Sequence, residues 1–132
     1  SVAAHPGAAT PTWALMRHTA VYDSPDEWMV PVEAAQRQLS QFENLFKNLG
    51  DVHEGFPKAI PMDQVANAAD YEPNTLSQNL VFGTPEEVIA KLKRYEALGV
   101  DEFIYYASLG LGHAEQKRSM QLFCDEVVPA FA

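Results

Sequence analysis

The stretch that decides the fold is residues 79–132, NLVFGTPEEVIAKLKRYEALGVDEFIYYASLGLGHAEQKRSMQLFCDEVVPAFA. Thr84 and Glu87 form a T-x-x-E capping box, and Pro85 suits the first helical position, so a helix is predicted to begin there. Apolar residues then recur at three- and four-residue steps until Gly99, which predicts the end of that helix.

A strand is predicted over residues 100–107, because VDEFIYYA is short, aromatic and β-branched. Such a brief helix-to-strand connection is usual in α/β units, where the strand is buried and commonly parallel. A glycine loop at 108–113 leads to a last helix with an apolar stripe: Met120, Phe123, Val127 and Phe131. Residues 79–83 are interpreted as a turn. The alternation of helix and strand predicts an α/β architecture.

Taken in this order, GTPEEV, a helix ending in LGV, the strand DEFIYYA, a G-x-G loop and RSMQLFCDEVVPAF resemble the C-terminal end of the bacterial luciferase-like, flavin-dependent monooxygenases. The resemblance implies a (β/α)₈ barrel of the TIM type. Such a barrel typically needs about 250 residues, whereas this chain has 132. The chain is therefore expected to be a single C-terminal fragment with about the last two strands, their helices and an insertion, incomplete as a barrel on its own.

The resemblance also implies a function for the parent protein. Enzymes of this family use reduced FMN, supplied by a separate flavin reductase, and O₂ to oxidise a small organic substrate. Related members use the deazaflavin F420, and the sequence leaves that alternative open. The upstream loops that hold most flavin phosphate contacts in the family lie outside the resemblance, so this segment alone is expected to be inactive and to bind flavin weakly.

Composition and charge exclude several other classes. Nine basic against eighteen acidic side chains give a formal charge of −9, which repels nucleic acids and anionic membrane surfaces. No apolar run approaches the roughly 20 residues of a membrane span, and no signal leader is recognisable, so a cytoplasmic location is expected. The single cysteine, Cys124, is predicted to be a buried thiol within the last helix.

The first half of the chain is predicted to contain one strand and one long helix. Residues 1–12 are interpreted as an irregular loop and residues 13–22 as a strand, the seventh of the barrel by resemblance. Residues 23–50 are interpreted as a helical insertion, with a short turn capped at Ser24 and a main helix from about Pro31. The apolar stripe of that helix is Val32, Ala35, Leu39, Phe42, Phe46 and Leu49.

Two partners for this stripe stay open. It could pack on the core of its own chain, or on a helix of another subunit in a homo-oligomer or with a complementing barrel chain. The second case also allows a different function, that of a non-catalytic α/β module that forms oligomers. Residues 51–78, with three prolines and one or two helical turns predicted within 62–69, are interpreted as a lid over the active site or as an irregular connector.

The candidate site residues lie in and after the glycine loop. Ser108, Gly110 and Gly112 are candidate flavin contacts, because free amides before a helix can bind an anion or a ring carbonyl. The alternative is that the glycines only permit the turn, and Glu115 interrupts a G-x-G-x-x-G fingerprint. His113 is a candidate catalytic residue or an exposed residue of the helix cap.

Other chemistry-bearing side chains give weaker signals. The four histidines show no i, i+4 pairing and the cysteine is remote, so no metal site is predicted. Of Arg17 and His18, one should face inward, where it would need a carboxylate or a ligand phosphate as partner, unless both are at exposed positions. Tyr105 and Tyr106 should point to opposite faces of the last strand as core aromatic residues.

Overall fold

The computed structural model describes residues 7, 9–47, 50–65, 68–107 and 110–132. The helices and strands in chain order are β1 (Ala14–Val21), α1 (Met29–Lys47), β2 (Val52–His53), β3 (Phe56–Pro57), α2 (Pro73–Asn79), β4 (Val81–Gly83), α3 (Pro85–Ala97), β5 (Glu102–Tyr106) and α4 (His113–Leu122). A π-helical turn, Phe123–Val127, and a 3₁₀ turn, Val128–Phe131, continue α4.

Strand β1 is the centre of a parallel sheet with the order β4-β1-β5. Strand β5 pairs with the first five residues of β1, from Ala14 opposite Glu102 to His18 opposite Tyr106. Strand β4 pairs only with the last three residues of β1, from Thr19 to Val21. The α/β class and the parallel last strand are thus confirmed, although alternate residues of β5, such as Ile104, are exposed rather than buried.

The turn predicted at residues 79–83 is wrong for its second half, because residues 81–83 form β4. Val81 and Phe82 are almost inaccessible to solvent, and Gly83 is buried. Three residues are too few for a period-two pattern to show in the sequence. Helix α3 starts as predicted, with the amide of Thr84 donating to Oε2 of Glu87 over 2.9 Å.

Successive residues of β1 point to opposite faces of the sheet, and helices pack on both of these faces. On one side α1 and α2 pack on the strand ends through a cluster of buried residues: Ala20, Val32, Ala35, Leu76 and Phe82. On the other side α3 and the last helix form a second cluster: Val21, Val81, Val88, Leu92, Leu122 and Val127. The first side is open over the earlier half of the strands, where Met16 and Ile104 are exposed.

Helix α1 starts two residues before Pro31, after a 3₁₀ turn capped at Ser24, close to the prediction. Its stripe is split along its length. Val32 and Ala35 lie in the core, whereas Phe42 is 43% and Phe46 is 79% exposed. Leu49 lies outside the described residues. The described part of this chain therefore covers only the first half of the stripe.

Residues 51–78 contain more regular structure than the predicted connector. Strands β2 and β3 form a two-stranded antiparallel ribbon, followed by two 3₁₀ turns and α2. Buried Asn44 of α1 holds the ribbon, because its Nδ2 donates to the carbonyls of Asp51 and Lys58, at 3.0 and 2.9 Å. The missed helix α2 has a single buried apolar residue, Leu76, so its sequence shows no apolar periodicity.

The stripe predicted for the last helix is confirmed in part. Val127 is buried as predicted and Phe123 is half-buried, whereas Met120 is 49% and Phe131 37% exposed and Ser119 and Leu122 are buried instead. The π-helical turn inserts an extra residue after Leu122 and shifts the positions that follow it. The prediction of a buried Cys124 is wrong, because the thiol lies on the exposed side of that turn. The π-helical turn gives no recognisable signal in the sequence.

Candidate functional site

A cavity of about 340 Å³ lies at the C-terminal end of the central strand β1. In parallel α/β folds, ligand sites form at the carboxyl ends of the strands, where loops and helix N-termini meet. The walls come from the end of β1, the first turn of α1 and the N-terminal half of α4; they are Ala20, Val21, Tyr22, Asp23, Glu27, Val30, Pro31, Leu111, Ala114, Glu115, Arg118 and Ser119.

Arg118 ties α4 to the segment after β1. Its guanidinium forms a two-point ion pair with Asp23, with Nε donating to Oδ2 over 2.9 Å and the second nitrogen on Oδ1. This hydrogen bonding lowers the pKa of Asp23 and raises that of Arg118. Both side chains are about half exposed, so the pair fixes geometry more than it stabilises the fold.

Ser119 fills a gap in the ladder of the sheet. Strand β5 ends opposite His18, so the amide of Val21 extends beyond it, and that amide donates to Oγ of buried Ser119 over 2.7 Å. The same oxygen is 2.7 Å from the hydroxyl of Tyr105. The serine thereby replaces a strand partner and positions α4 against the cavity.

The aromatic ring of Tyr22 lines the cavity, and its hydroxyl is neutral at neutral pH. Burial raises its pKa to about 12, and the carboxylates of Glu87 and Glu27 add to that effect. Glu27 itself is held in place, because its Oε2 accepts the amides of Asp23 and Ser24 at 3.0 and 3.1 Å. The phenol consequently stays protonated at neutral pH and can donate a hydrogen bond.

The electrostatics of this cavity do not fit a flavin phosphate. Among the described residues, its walls carry three carboxylates, Asp23, Glu27 and Glu115, against the one guanidinium of Arg118. At the start of α4 the carboxylate of Glu115 folds back onto Gly112, where it would clash with a Cβ. The helix N-terminus that was predicted to receive an anion therefore faces an anionic side chain of its own chain.

The candidate residues of the glycine loop have different positions. Gly110 has a φ of +70°, which favours glycine, and it passes close to the backbone of Ala34 in α1. Gly112 caps α4. His113 is exposed at the first residue of α4 and is not among the lining residues of the cavity. Ser108 lies outside the described residues. Their roles in flavin binding or catalysis stay predictions.

His18 and Tyr106 form a second feature, on the open side of the sheet. Their rings lie 4.5 Å apart between centroids, whereas Tyr105 faces α4 on the opposite side, as the alternation predicted. Burial lowers the pKa of His18, and its buried Nδ1 has no hydrogen-bond partner among the residues that the structure describes. Arg17 is exposed and donates to the carbonyl of Met16 at 3.1 Å.

Sequence reasoning missed the residues that build the cavity, chiefly Tyr22, Arg118 and Ser119. Arg118 and Asp23 are 95 positions apart, so no local pattern could pair them. Within the described ranges, no group of three or more His, Cys, Asp or Glu side chains is arranged to hold a metal ion. In the same part of the chain, no helix has the length and apolar character needed to cross a membrane.

Sequence comparison relates this chain to a flavin-dependent monooxygenase. The relative is the oxygenase component of the flavin-dependent trigonelline monooxygenase of Acinetobacter baylyi, with 32% identity over 118 residues, or 89% of this chain. The chain spans 33% of the length of that relative. No protein-family model matches the chain, and no solved structure matches it. The similarity supports a relationship of this chain to flavin-dependent monooxygenases.

Proposed function

We propose that this chain is the C-terminal portion of a cytoplasmic, luciferase-like flavin monooxygenase that uses reduced FMN and O₂ to oxidise a small organic substrate. The observation that carries the proposal is the similarity of 89% of the chain to the oxygenase component of a flavin-dependent monooxygenase. The parallel pair β1 and β5, with α3 between β4 and β5, is compatible with the last strands of a TIM-type barrel.

The contribution of this chain is a wall of the reaction chamber. The end of β1 and the start of α4 line an open cavity with apolar residues such as Val30 and Leu111, and these residues would exclude water once the longer polypeptide covers them. Its carboxylates favour a neutral or positively charged substrate over an anion. Reduced flavin supplies the activation of O₂, whereas the phosphate of the flavin is held by parts of the longer polypeptide outside these residues.

A second protein is required to reduce the flavin. The relative is named as an oxygenase component, and such a component implies a reductase that delivers reduced flavin. We therefore propose a flavin reductase as the functional partner of the parent enzyme. None of the cavity walls comes from residues 51–78 in the described part of the chain, so a lid formed by that segment would have to close over another part of the chamber.

Anaerobic titration distinguishes the cofactors. A longer polypeptide that contains these residues is expected to bind reduced FMN and, after mixing with O₂, to oxidise its substrate with NADH and a flavin reductase as the electron source. Reduced F420 should not replace reduced FMN in this reaction. Substrate turnover that depends on F420 and is indifferent to FMN would contradict the choice of cofactor, and binding of neither would contradict the proposal.

The exposed half of α1 favours a second candidate, an oligomerising module. Phe42 and Phe46 stack with centroids 6.0 Å apart on the surface, next to exposed Leu45. Exposed apolar groups of this size commonly mark an interface. Sedimentation velocity of the chain tests this candidate: a defined oligomer that dissociates on Phe46→Ser would support it, and a monomer would exclude it.

A further inference from the structure

A groove of about 710 Å³ lies beside the earlier half of β1, between that strand and the C-terminal halves of α2 and α3. Residues 78–80 of the same chain bound it on the side of β4. None of its described lining residues belongs to the cavity at the C-terminal end of β1. The groove is therefore a candidate site separate from the proposed reaction chamber.

The charged side chains that line the groove in the described part of the chain are all cationic: Arg17, Lys91 and Arg94. The ammonium of Lys91 is bound by three backbone carbonyls. Arg17 and Arg94 are exposed, and neither guanidinium forms an ion pair with a described carboxylate. Arg17 uses one nitrogen to donate to the carbonyl of Met16, which leaves its other two nitrogens free. In a chain of formal charge −9, the groove is a local site of positive charge.

The polar groups of the groove favour a negatively charged hydrogen-bond acceptor. Burial lowers the pKa of Lys91, the charge of Glu87 raises it, and the charge of Arg94 lowers it, so the two cations repel each other. The buried Nδ1 atom of His18 has no hydrogen-bond partner among the described residues, although buried polar atoms are normally paired. An anion in the groove would reduce the repulsion and supply an acceptor beside the imidazole.

The orientation of the helices favours carboxylates over a phosphate. Phosphate groups are commonly bound at helix N-termini, where free amides meet the positive end of the helix dipole. The groove instead receives the C-terminal halves of α2 and α3. Its free positive charge comes from two guanidinium groups on separate elements, Arg17 on β1 and Arg94 on α3. Two separate guanidinium groups fit two carboxylates better than one concentrated dianion.

We propose that this groove binds a small dicarboxylic acid, with one carboxylate on the guanidinium of Arg17 and the other on that of Arg94. Each guanidinium offers parallel N–H donors that match the two oxygens of a carboxylate. The exposed side-chain amides of Gln78 and Asn79 line the same groove and add further donors. The inference does not depend on the proposed function, because neither flavin nor the cavity at the end of β1 contributes to the site.

Isothermal titration calorimetry of the 132-residue chain at constant ionic strength tests the inference. The probes are succinate, glutarate and adipate, whose two carboxylates lie at increasing separation; the controls are the neutral diamide succinamide and inorganic phosphate. The net charge of the chain opposes anions outside the groove. We expect one-to-one binding of at least one diacid, about tenfold or more tighter than either control. No binding of the three diacids, or equal binding of a control, would overturn the inference.

Substitution of the arginines locates the binding. Arg17→Gln and Arg94→Gln should each weaken the tightest diacid at least about tenfold. Arg37→Gln is the matched control, because it makes the same change at an exposed arginine of α1 that does not line the groove, and it should leave binding within about twofold. Thermal unfolding verifies that each variant is folded. Unchanged binding to the folded Arg17→Gln and Arg94→Gln variants would overturn the inference.

Competition with oxidised flavin separates this site from a cofactor site. Neither FMN nor riboflavin should displace the diacid from the 132-residue chain. Displacement by FMN but not by riboflavin would overturn the inference, because the groove would then hold the flavin phosphate. A failure of the longer polypeptide to bind reduced FMN would contradict the proposed function and leave the diacid result unaffected.

Discussion

Ser119 shows how a single hydroxyl links the sheet to the helix that bounds the cavity. Its Oγ accepts the amide of Val21 and contacts the hydroxyl of Tyr105, both at 2.7 Å. The sequence shows only a serine beside Arg118, because the free amide of Val21 arises only where β5 ends opposite His18. The role of such a residue depends on contacts between distant parts of the chain and cannot be predicted from its neighbours in sequence.

Replacement of Ser119 by alanine should reduce the free energy of unfolding by about 1–3 kcal/mol, because the amide of Val21 would be buried without an acceptor. Tyr105→Phe is the matched control and should cost less, since the serine still accepts the amide. Urea denaturation measures both. Equal stability of Ser119→Ala and the unaltered chain would show that α4 does not depend on this contact.

His18 gives the molecule a pH dependence. Burial lowers its pKa below the ordinary 6.5, so the unfolded state binds the proton more readily than the folded state. The contribution of His18 is therefore complete above pH 6.5 and decreases as the pH falls through that value.

The unfolding free energy of the unaltered chain should thus fall more steeply than that of His18→Gln between about pH 7.5 and pH 5.5. Imidazole titration by NMR gives an independent check, with a midpoint below 6.5 for this ring. A midpoint above 6.5 or identical slopes would contradict the burial described for His18.

Among the elements, capping signals predicted helical starts well. The 3₁₀ turn before α1 begins at its cap Ser24 and α3 begins at its cap Thr84, and in both a glutamate three residues later accepts the amide of the cap residue. Strand β4 and helix α2 were missed, since both are short and are stabilised by tertiary contacts. The ammonium of Lys91 joins the two elements, donating to the carbonyls of Ser77, Leu80 and Phe82.

Lys91→Met should lower the free energy of unfolding by about 1.5–3 kcal/mol, because it leaves three carbonyls without their charged donor. Lys93→Met is the matched control on the same helix. Lys93 pairs with Glu96 and lies over the ring of Phe131 at the surface, so its loss should cost about 1 kcal/mol or less. Similar losses for both variants in urea denaturation would contradict the anchoring role of Lys91.

The two halves of α1 should respond differently to truncation. Val32→Ala removes fully buried methyl groups and should cost about 1.5–3 kcal/mol, whereas Phe46→Ala changes a side chain that is 79% exposed and should stay within about 0.5 kcal/mol. Chemical denaturation at several protein concentrations measures both. A large, concentration-dependent cost for Phe46→Ala would show that another copy covers this end of the helix.

For the whole molecule, the alternation of helix and strand predicted the class of fold, and the resemblance of residues 79–132 to a known family predicted the relationship to flavin monooxygenases, which the similarity to an oxygenase component supports. The site was predicted less well. Leu111 of the glycine loop lines the cavity, but the carboxylate of Glu115 opposes an anion at the start of α4. The roles predicted for Gly110, Gly112 and His113 stay predictions, and the partners across the cavity are set by the packing of α1 and α4 on β1. Patterns within one element cannot encode such contacts between distant elements.

Under the proposed function, these residues complete a longer flavin monooxygenase. Anaerobic binding of reduced FMN is the decisive measurement, made on the 132-residue chain and on a longer polypeptide that contains it. We expect the longer polypeptide to bind and the chain alone to bind weakly or not at all, since the carboxylates of the described cavity oppose the phosphate. The proposed function would be contradicted if the longer polypeptide had no affinity for reduced flavin and the chain formed a stable oligomer.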